Sequence, residues 1–409
     1  MNYRKTGIAV AMMAATTVTH AAPNNEELWQ MMQKMQQEIE QMQQQKQQLI
    51  SENAALKNQL METEQAVEAV AVAAEEAVNR PLLGGDTHIG GYGELHFNNL
   101  DGSNGAASKD QIDFHRFVLF FGHEFTDDLR FFSELELEHS LAGEGKEGEV
   151  ELEQAYVEYD INQHHRVKGG LFLMPVGILN ETHEPETFYG VERNNVEKNI
   201  IPTTWWEGGV MFSGELGQGF SYDVAMTSGL ETSADNSYKI RNGRNKVAEA
   251  SANDFAYIGR LKWTGIPGVE IGATAQYQED LTQGTSGEDV SATFYEVHTD
   301  IQKGPLGLRA LYATWDLDGE GPKAIGADEQ TGWYIEPSFK INQYVGLFGS
   351  YSQWDNEAGS DSQSEYEQWN VGVNWWPHKQ VVIKADYQDQ EKDNGEQLKG
   401  LNLGIGYSF

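Results

Sequence analysis

The sequence predicts an all-β protein, a 16-stranded antiparallel transmembrane β-barrel preceded by an N-terminal α-helical coiled coil. Three observations carry this expectation. From residue 88 onward the apolar positions recur with period two in sixteen successive segments. The connections between those segments alternate between short turns and long polar loops. The last stretch, GLNLGIGYSF, is itself such a segment and ends on an aromatic residue.

The period-two segments follow one another from His88–Asn98 and Gln111–Phe125 to Gln380–Gln388 and Gly400–Phe409. In one of them Val269, Ile271, Ala273, Ala275 and Tyr277 alternate with Glu270, Gly272, Thr274, Gln276 and Gln278. A strand of this kind offers one face to lipid and the other to a wet lumen. Thr126-Asp127, Asn162-Gln163, Lys303-Gly304-Pro305 and Asn342-Gln343 are short turns, whereas 99–110, 140–149, 174–206 and 229–254 are long. Trp263, Trp333, Trp369, Trp375 and Phe409 fall at strand ends, where interfacial girdles form. A soluble β-sandwich or solenoid explains neither the one-sided loop lengths nor the terminal Phe. Leu403, Ile405, Tyr407 and Phe409 resemble the C-terminal assembly signal of bacterial outer-membrane proteins.

Upstream, residues 1–21 read as a secretory signal peptide. Arg4 and Lys5 precede the apolar run Gly7–Ala15, and Thr19-His20-Ala21 offers a small-residue cleavage site. The run is too short to span a bilayer, and no later stretch is long and apolar enough for a transmembrane helix. Residues 22–80 predict a periplasmic coiled coil. Apolar residues step by threes and fours from Leu28 to Ala77 through about seven heptads, with Lys46 and Asn53 as polar seam positions. At ~1.5 Å per residue the rod would be roughly 75 Å long. Its alternative is a flexible Gln-rich linker. Residues 81–87 contain PLLGG, which breaks the helix and links it to the barrel, 88–409.

Composition excludes several functions. The chain of 409 residues has 63 acidic and 28 basic residues, a net charge of −35, which argues against nucleic-acid binding. Without cysteine it has no disulfide, thiol nucleophile or Cys-ligated metal. It contains no G-x-S-x-G and no H-E-x-x-H, so an outer-membrane hydrolase lacks a recognisable centre, and no cofactor is expected. His164-His165 and His183-Glu184 read as turn and loop residues rather than ligands. Spaced carboxylates such as Asp316-x-Asp318 lack the ligand pattern of a Ca²⁺ loop.

The stretch GLFLMPVGILNETHEPETFYGVERNNVEKNIIPTTWWEGG, residues 170–209, resembles the phosphate-selective porin O/P family and its dicarboxylate-channel relatives. The resemblance implies a homotrimeric outer-membrane porin. It also implies that the third outer loop, 174–206, folds into the lumen and narrows it for passive diffusion of small hydrophilic solutes. Partners would be a homotrimer, outer-membrane lipid and lipopolysaccharide, and the solutes themselves, with cell-wall contact through the rod. Alternation places Arg116, Arg166, Lys168, Arg260, Arg309 and Lys384 on the inward face, a basic ladder that would guide anions. Arg116, Arg166, Arg193, Lys198 and Arg309 are expected at the eyelet, with Glu192 and Glu197 beside them. Each base has the alternative role of a structural ion pair across the lumen. The loop carries five glutamates against Arg193 and Lys198, which opposes phosphate selectivity. A third function stays open, in which the barrel anchors a coiled-coil envelope tether.

Overall fold

The computed structural model describes residues 87–409 together with Trp29, Lys34, Gln43, Lys46 and Gln47, which are helical. The signal peptide, most of the expected coiled coil and residues 81–86 of the expected linker lie outside the described residues, whereas Thr87 already belongs to the first strand. The chain divides into two compact units, Met1–Arg80 and Pro81–Phe409.

The second unit is a closed barrel of sixteen antiparallel strands in sequential order. The strands are β1 (Thr87–Ser103), β2 (Lys109–Thr126), β3 (Leu129–Glu138), β4 (Val150–Asn162), β5 (His165–Leu173), β6 (Trp206–Gly217), β7 (Phe220–Thr227) and β8 (Ala256–Ile266). They continue as β9 (Val269–Gln278), β10 (Ser291–Lys303), β11 (Leu306–Asp318), β12 (Glu329–Lys340), β13 (Val345–Asp355), β14 (Tyr366–His378), β15 (Val381–Lys392) and β16 (Gln397–Ser408). The helices α1 (Asn195–Asn199) and α2 (Glu320–Ile325) and two short 3₁₀ turns lie in the long loops.

Closure follows from the solvent. Hydrocarbon offers no hydrogen-bond partner to a free sheet edge, so the first and last strands must pair. β1 and β16 pair without a break from Tyr92 opposite Ser408 to Ser103 opposite Gln397. Phe409 extends the seam. Its N–H donates to the Gly91 carbonyl at 2.9 Å, and its own carbonyl accepts from Gly91 N–H at 3.0 Å. The Phe409 ring stacks on Phe117 at a centroid distance of 6.1 Å.

The alternation read from the sequence is the alternation of exposure. Ile271, Tyr277, Val371, Ile383 and Leu403 stand on the outer surface, whereas Thr274, Gln276, Asn374, Lys384 and Asn402 are buried inside. Outward aromatics gather towards both rims, with Tyr257, Tyr277 and Trp369 near the long loops and Phe220, Trp375 and Phe409 near the short turns.

Val371 lies mid-strand in β14 and is 64 % exposed on the outer face. We expect Val371→Arg to cost about 2–4 kcal/mol, the usual penalty for a lipid-facing arginine near the bilayer midplane. Equilibrium urea unfolding in lipid vesicles measures it.

Candidate functional site in the lumen

The third long loop, residues 174–205, starts from β5 and packs on residues of the barrel's inner face. Its apolar side chains require this. Met174, Val176, Ile178, Leu179, Val196, Ile200, Ile201 and Trp205 are all buried. They form one core with Ala225, Ile258, Phe294, Leu311, Trp315 and Tyr334, at positions where strict alternation would put polar residues. Trp315 is central. Its ring lies 4.6 Å from Phe294 and 6.1 Å from Trp205, and its indole N–H donates to the Ile200 carbonyl at 2.8 Å.

Polar ties fix the path. Asn180 is fully buried at the base of the loop. Its amide donates to the carbonyls of Met174 at 2.8 Å and Trp205 at 2.9 Å, and its oxygen accepts from Trp205 N–H at 2.8 Å. Asn194 caps α1 by accepting from Val196 N–H. Asp386 on β15 accepts from Val191 N–H at 2.7 Å. Inward glycines give the loop room. A Cβ on Gly332 would come within 3.0 Å of Val196, and one on Gly404 within 3.1 Å of Val191.

The structure sorts the expected lumen residues into paired and unpaired groups. Arg116 is buried against Glu94 at 2.6 Å, with Glu136 at 3.7 Å. Arg260 donates to Asp223 at 2.7 and 2.9 Å and pairs with Glu181. Arg309 pairs with Asp300 at 2.9 Å and also donates to the Thr187 carbonyl. These strand arginines are neutralised by carboxylates. Arg166 sits at the short-turn rim, half exposed and 4.0 Å from Glu158, away from the third loop's core. Lys168 lies over the rings of Tyr156 and Phe172. Lys384 is buried with its ammonium 3.5 Å from the Phe188 ring centroid and without a hydrogen-bond acceptor among the described residues. Glu192 accepts from Asn98 at 3.0 Å and lies 3.3 Å from His96. Glu197 does not face open space. It is sealed beneath the loop, accepting from Ile178 and Leu179 N–H and from the Tyr334 hydroxyl. Burial pushes its carboxyl pKa up, opposed by these hydrogen bonds.

One polar chamber brings the remaining charges together. Glu94, Glu136, Glu138, Glu151 and Glu153 line its wall on β1, β3 and β4. Opposite them stand Arg193 and Lys198 from the third loop and Arg241, Arg244 and Lys246 from the fourth, 228–255. Lys246 pairs with Glu149 at 2.7 Å and with Glu151. The three arginines differ. Arg241 donates to the carbonyls of Lys198 at 2.7 Å and Thr203 at 2.8 Å, and Arg244 donates to the Thr204 carbonyl at 2.5 Å. Arg193 donates to the Thr204 hydroxyl at 2.5 Å, while its buried Nε and Nη2 have no partner among the described residues. Neutral acceptors hold these guanidinium groups in place, and none of the three makes a direct ion pair among the described residues, although the chamber's glutamates lie near. Burial, then the charge of Arg244, pushes the Arg241 pKa down to about 9, so an added anion would relieve the cluster.

The sequence expectation missed Arg241, Arg244 and Lys246. Their signal is KIRNGRNK, residues 239–246, four bases without an acid in a strongly acidic chain.

A profile of the family described as phosphate-selective porin O and P matches residues 89–403. The chain belongs to that family. It is a porin of the Gram-negative outer membrane. An uncharacterized protein of Aquifex aeolicus (strain VF5) is 33% identical over 340 residues, spanning 75% of this chain and 77% of the relative. Among solved structures, the anion-selective porin from Comamonas acidovorans superposes with a TM-score of 0.58 at 12% identity, covering 79% of this porin and 99% of that chain. The outer-membrane channel DcaP of Acinetobacter baumannii gives 0.55 at 14% identity, covering 81% and 99%. At such identities the likeness shows the barrel fold.

Trp315→Ala should destabilise the porin by about 3–5 kcal/mol, as removal of a buried aromatic usually does. Chemical denaturation reads the loss. Limited proteolysis should then cut within 174–205, a segment the native barrel protects.

Proposed function

We propose that the porin conducts small hydrophilic anions by passive diffusion through a water-filled lumen narrowed by its third loop. The guanidinium cluster of Arg193, Arg241 and Arg244, which makes no direct ion pair among the described residues, carries this reading. An anion crossing the outer loops meets donors whose geometry is already set by backbone carbonyls and the Thr204 hydroxyl. The Nε–Nη2 edge of Arg193, buried and without a partner among the described residues, matches two oxygens of a carboxylate or phosphate. Binding in this partly desolvated chamber is favourable, and the glutamates opposite repel the anion and limit its dwell time. The paired arginines on the strands contribute little net field, because each shares its charge with an acid nearby.

The porin works as a homotrimer in this proposal. OmpT of Vibrio cholerae, described in a trimer form, shares the fold with a TM-score of 0.52 over 79% of this chain. The N-terminal segment is assigned to the periplasmic side, because β1 begins at the short-turn rim.

Single-channel recording in a planar bilayer under a salt gradient tests the reading. Wild type should show anion preference and concentration-dependent block by phosphate or a dicarboxylate. Arg193→Ala should weaken that block roughly 10- to 100-fold, the loss of about 1.5–3 kcal/mol in charged hydrogen bonds. Replacing Arg193, Arg241 and Arg244 together should reverse the preference to cations. Cation preference in wild type would refute anion conduction. Deleting residues 24–80 should leave conductance unchanged, and a loss of conductance would show that this segment takes part in it.

A further inference from the structure

We propose that Glu134, Glu153 and His183 bind one divalent transition-metal ion of the Zn²⁺ class, which staples the third loop to the barrel wall.

The three residues come from separate segments. Glu134 is on β3, Glu153 on β4, and His183 in the third loop. All are at most 3 % exposed. His183 Nε2 lies 3.5 Å from Glu134 Oε1 and 3.5 Å from Glu153 Oε2, and the three atoms lie within 4.8 Å of one another. None of these atoms has a hydrogen-bond partner among the described residues. A spacing of 3.5 Å is too long for an efficient N–H···O bond. It is close to the edge of a tetrahedron with metal–ligand bonds of 2.0–2.2 Å, roughly 3.4 Å.

The surroundings fit a metal ligand set. His183 Nδ1 is 3.1 Å from the Asn180 carbonyl. A proton on Nδ1 satisfies that contact and leaves the Nε2 lone pair aimed at two carboxylates. Metal-bound histidines have this arrangement, with the far ring nitrogen donating to a carbonyl. Gln154 donates to Glu134 Oε2 at 2.7 Å, which turns Oε1 towards His183. Charge balance points the same way. Arg116, the nearby permanent cation, makes its contacts with Glu94 and Glu136 rather than with Glu134 or Glu153. Two buried carboxylates carry more negative charge than one imidazole can offset, and a divalent ion supplies the balance. Mixed imidazole and carboxylate donors suit Zn²⁺ and its first-row neighbours, with water as a fourth ligand. Glu153 also lines the chamber described above, which gives the ion a route in.

The ion would join β3 and β4 to the loop three residues after Asn180. The inference is independent of anion selectivity, since conductance and reversal potential do not measure metal content.

The full-length porin in detergent, free of lipopolysaccharide and stripped with chelator, is titrated with ZnCl₂, desalted and assayed for zinc by mass spectrometry. We expect His183→Ala and Glu153→Gln each to retain one Zn²⁺ fewer per chain than wild type. His139→Ala, which breaks the separate Asp113–His115–His139 cluster, should leave this ion in place. Wild type retaining no zinc, or the His183→Ala count matching wild type, overturns the proposal. If the variants fail to form barrels, the zinc K-edge spectrum of wild type decides. A shell with one imidazole and carboxylate oxygens supports the site. A shell with two imidazoles assigns the zinc to the other cluster and overturns it.

Discussion

Backbone hydrogen bonding in a medium without water is the constraint on which the rest of this porin depends. Each strand must be paired on both sides, so the sheet closes and β1 meets β16 in continuous register. Closure divides every strand into a lipid face and a lumen face. The apolar side chains go outward, and the inside becomes a wet space walled by amides, hydroxyls and charges. Some of these carboxylates face basic partners across the lumen wall, as Asp223 does Arg260 and Asp300 does Arg309.

The third loop obeys the opposite rule, because it brings apolar residues to a wall built for water. The wall accommodates them locally. Phe294, Leu311 and Trp315 replace polar residues on β10 and β11, and Gly332 and Gly404 remove side chains where the loop backbone runs close. The loop is therefore held by two forces, burial of apolar surface on one flank and, on the rest, hydrogen bonds donated by Asn180 and Trp315 and accepted by Asp386. The remaining space is a chamber with five glutamates and Arg116 on the wall, and with Glu192 and the bases on the loops.

The barrel was legible in the sequence because period-two alternation and turn length are local signals. Strand count, the inward placement of Arg116, Arg260 and Lys384, and the closing strand all follow from them. Charge pairing was not legible. Alternation states the face a residue occupies but not its neighbour across the ladder, so the sequence could not separate Arg309, held by Asp300, from Arg193, held by a hydroxyl. Glu197 misleads for a related reason, since a glutamate in a polar loop gives no sign that it will cap backbone amides inside a core. His183 read as a loop residue because its two carboxylate neighbours lie on strands far away in the chain. The basic run at 239–246 was visible, yet its meaning depended on where the fourth loop travels.

Asn180 has one more consequence. Its single side chain joins both feet of the third loop, Met174 and Trp205, so the intervening residues form a closed buckle with its own clasp. The clasp and the apolar patch hold the span against the wall, and only Thr182, Thr187 and Lys198 within it are exposed. Loop and wall are therefore matched surfaces, and a change of the buried contents on one side calls for a change at Phe294, Leu311, Trp315, Gly332 or Gly404 on the other.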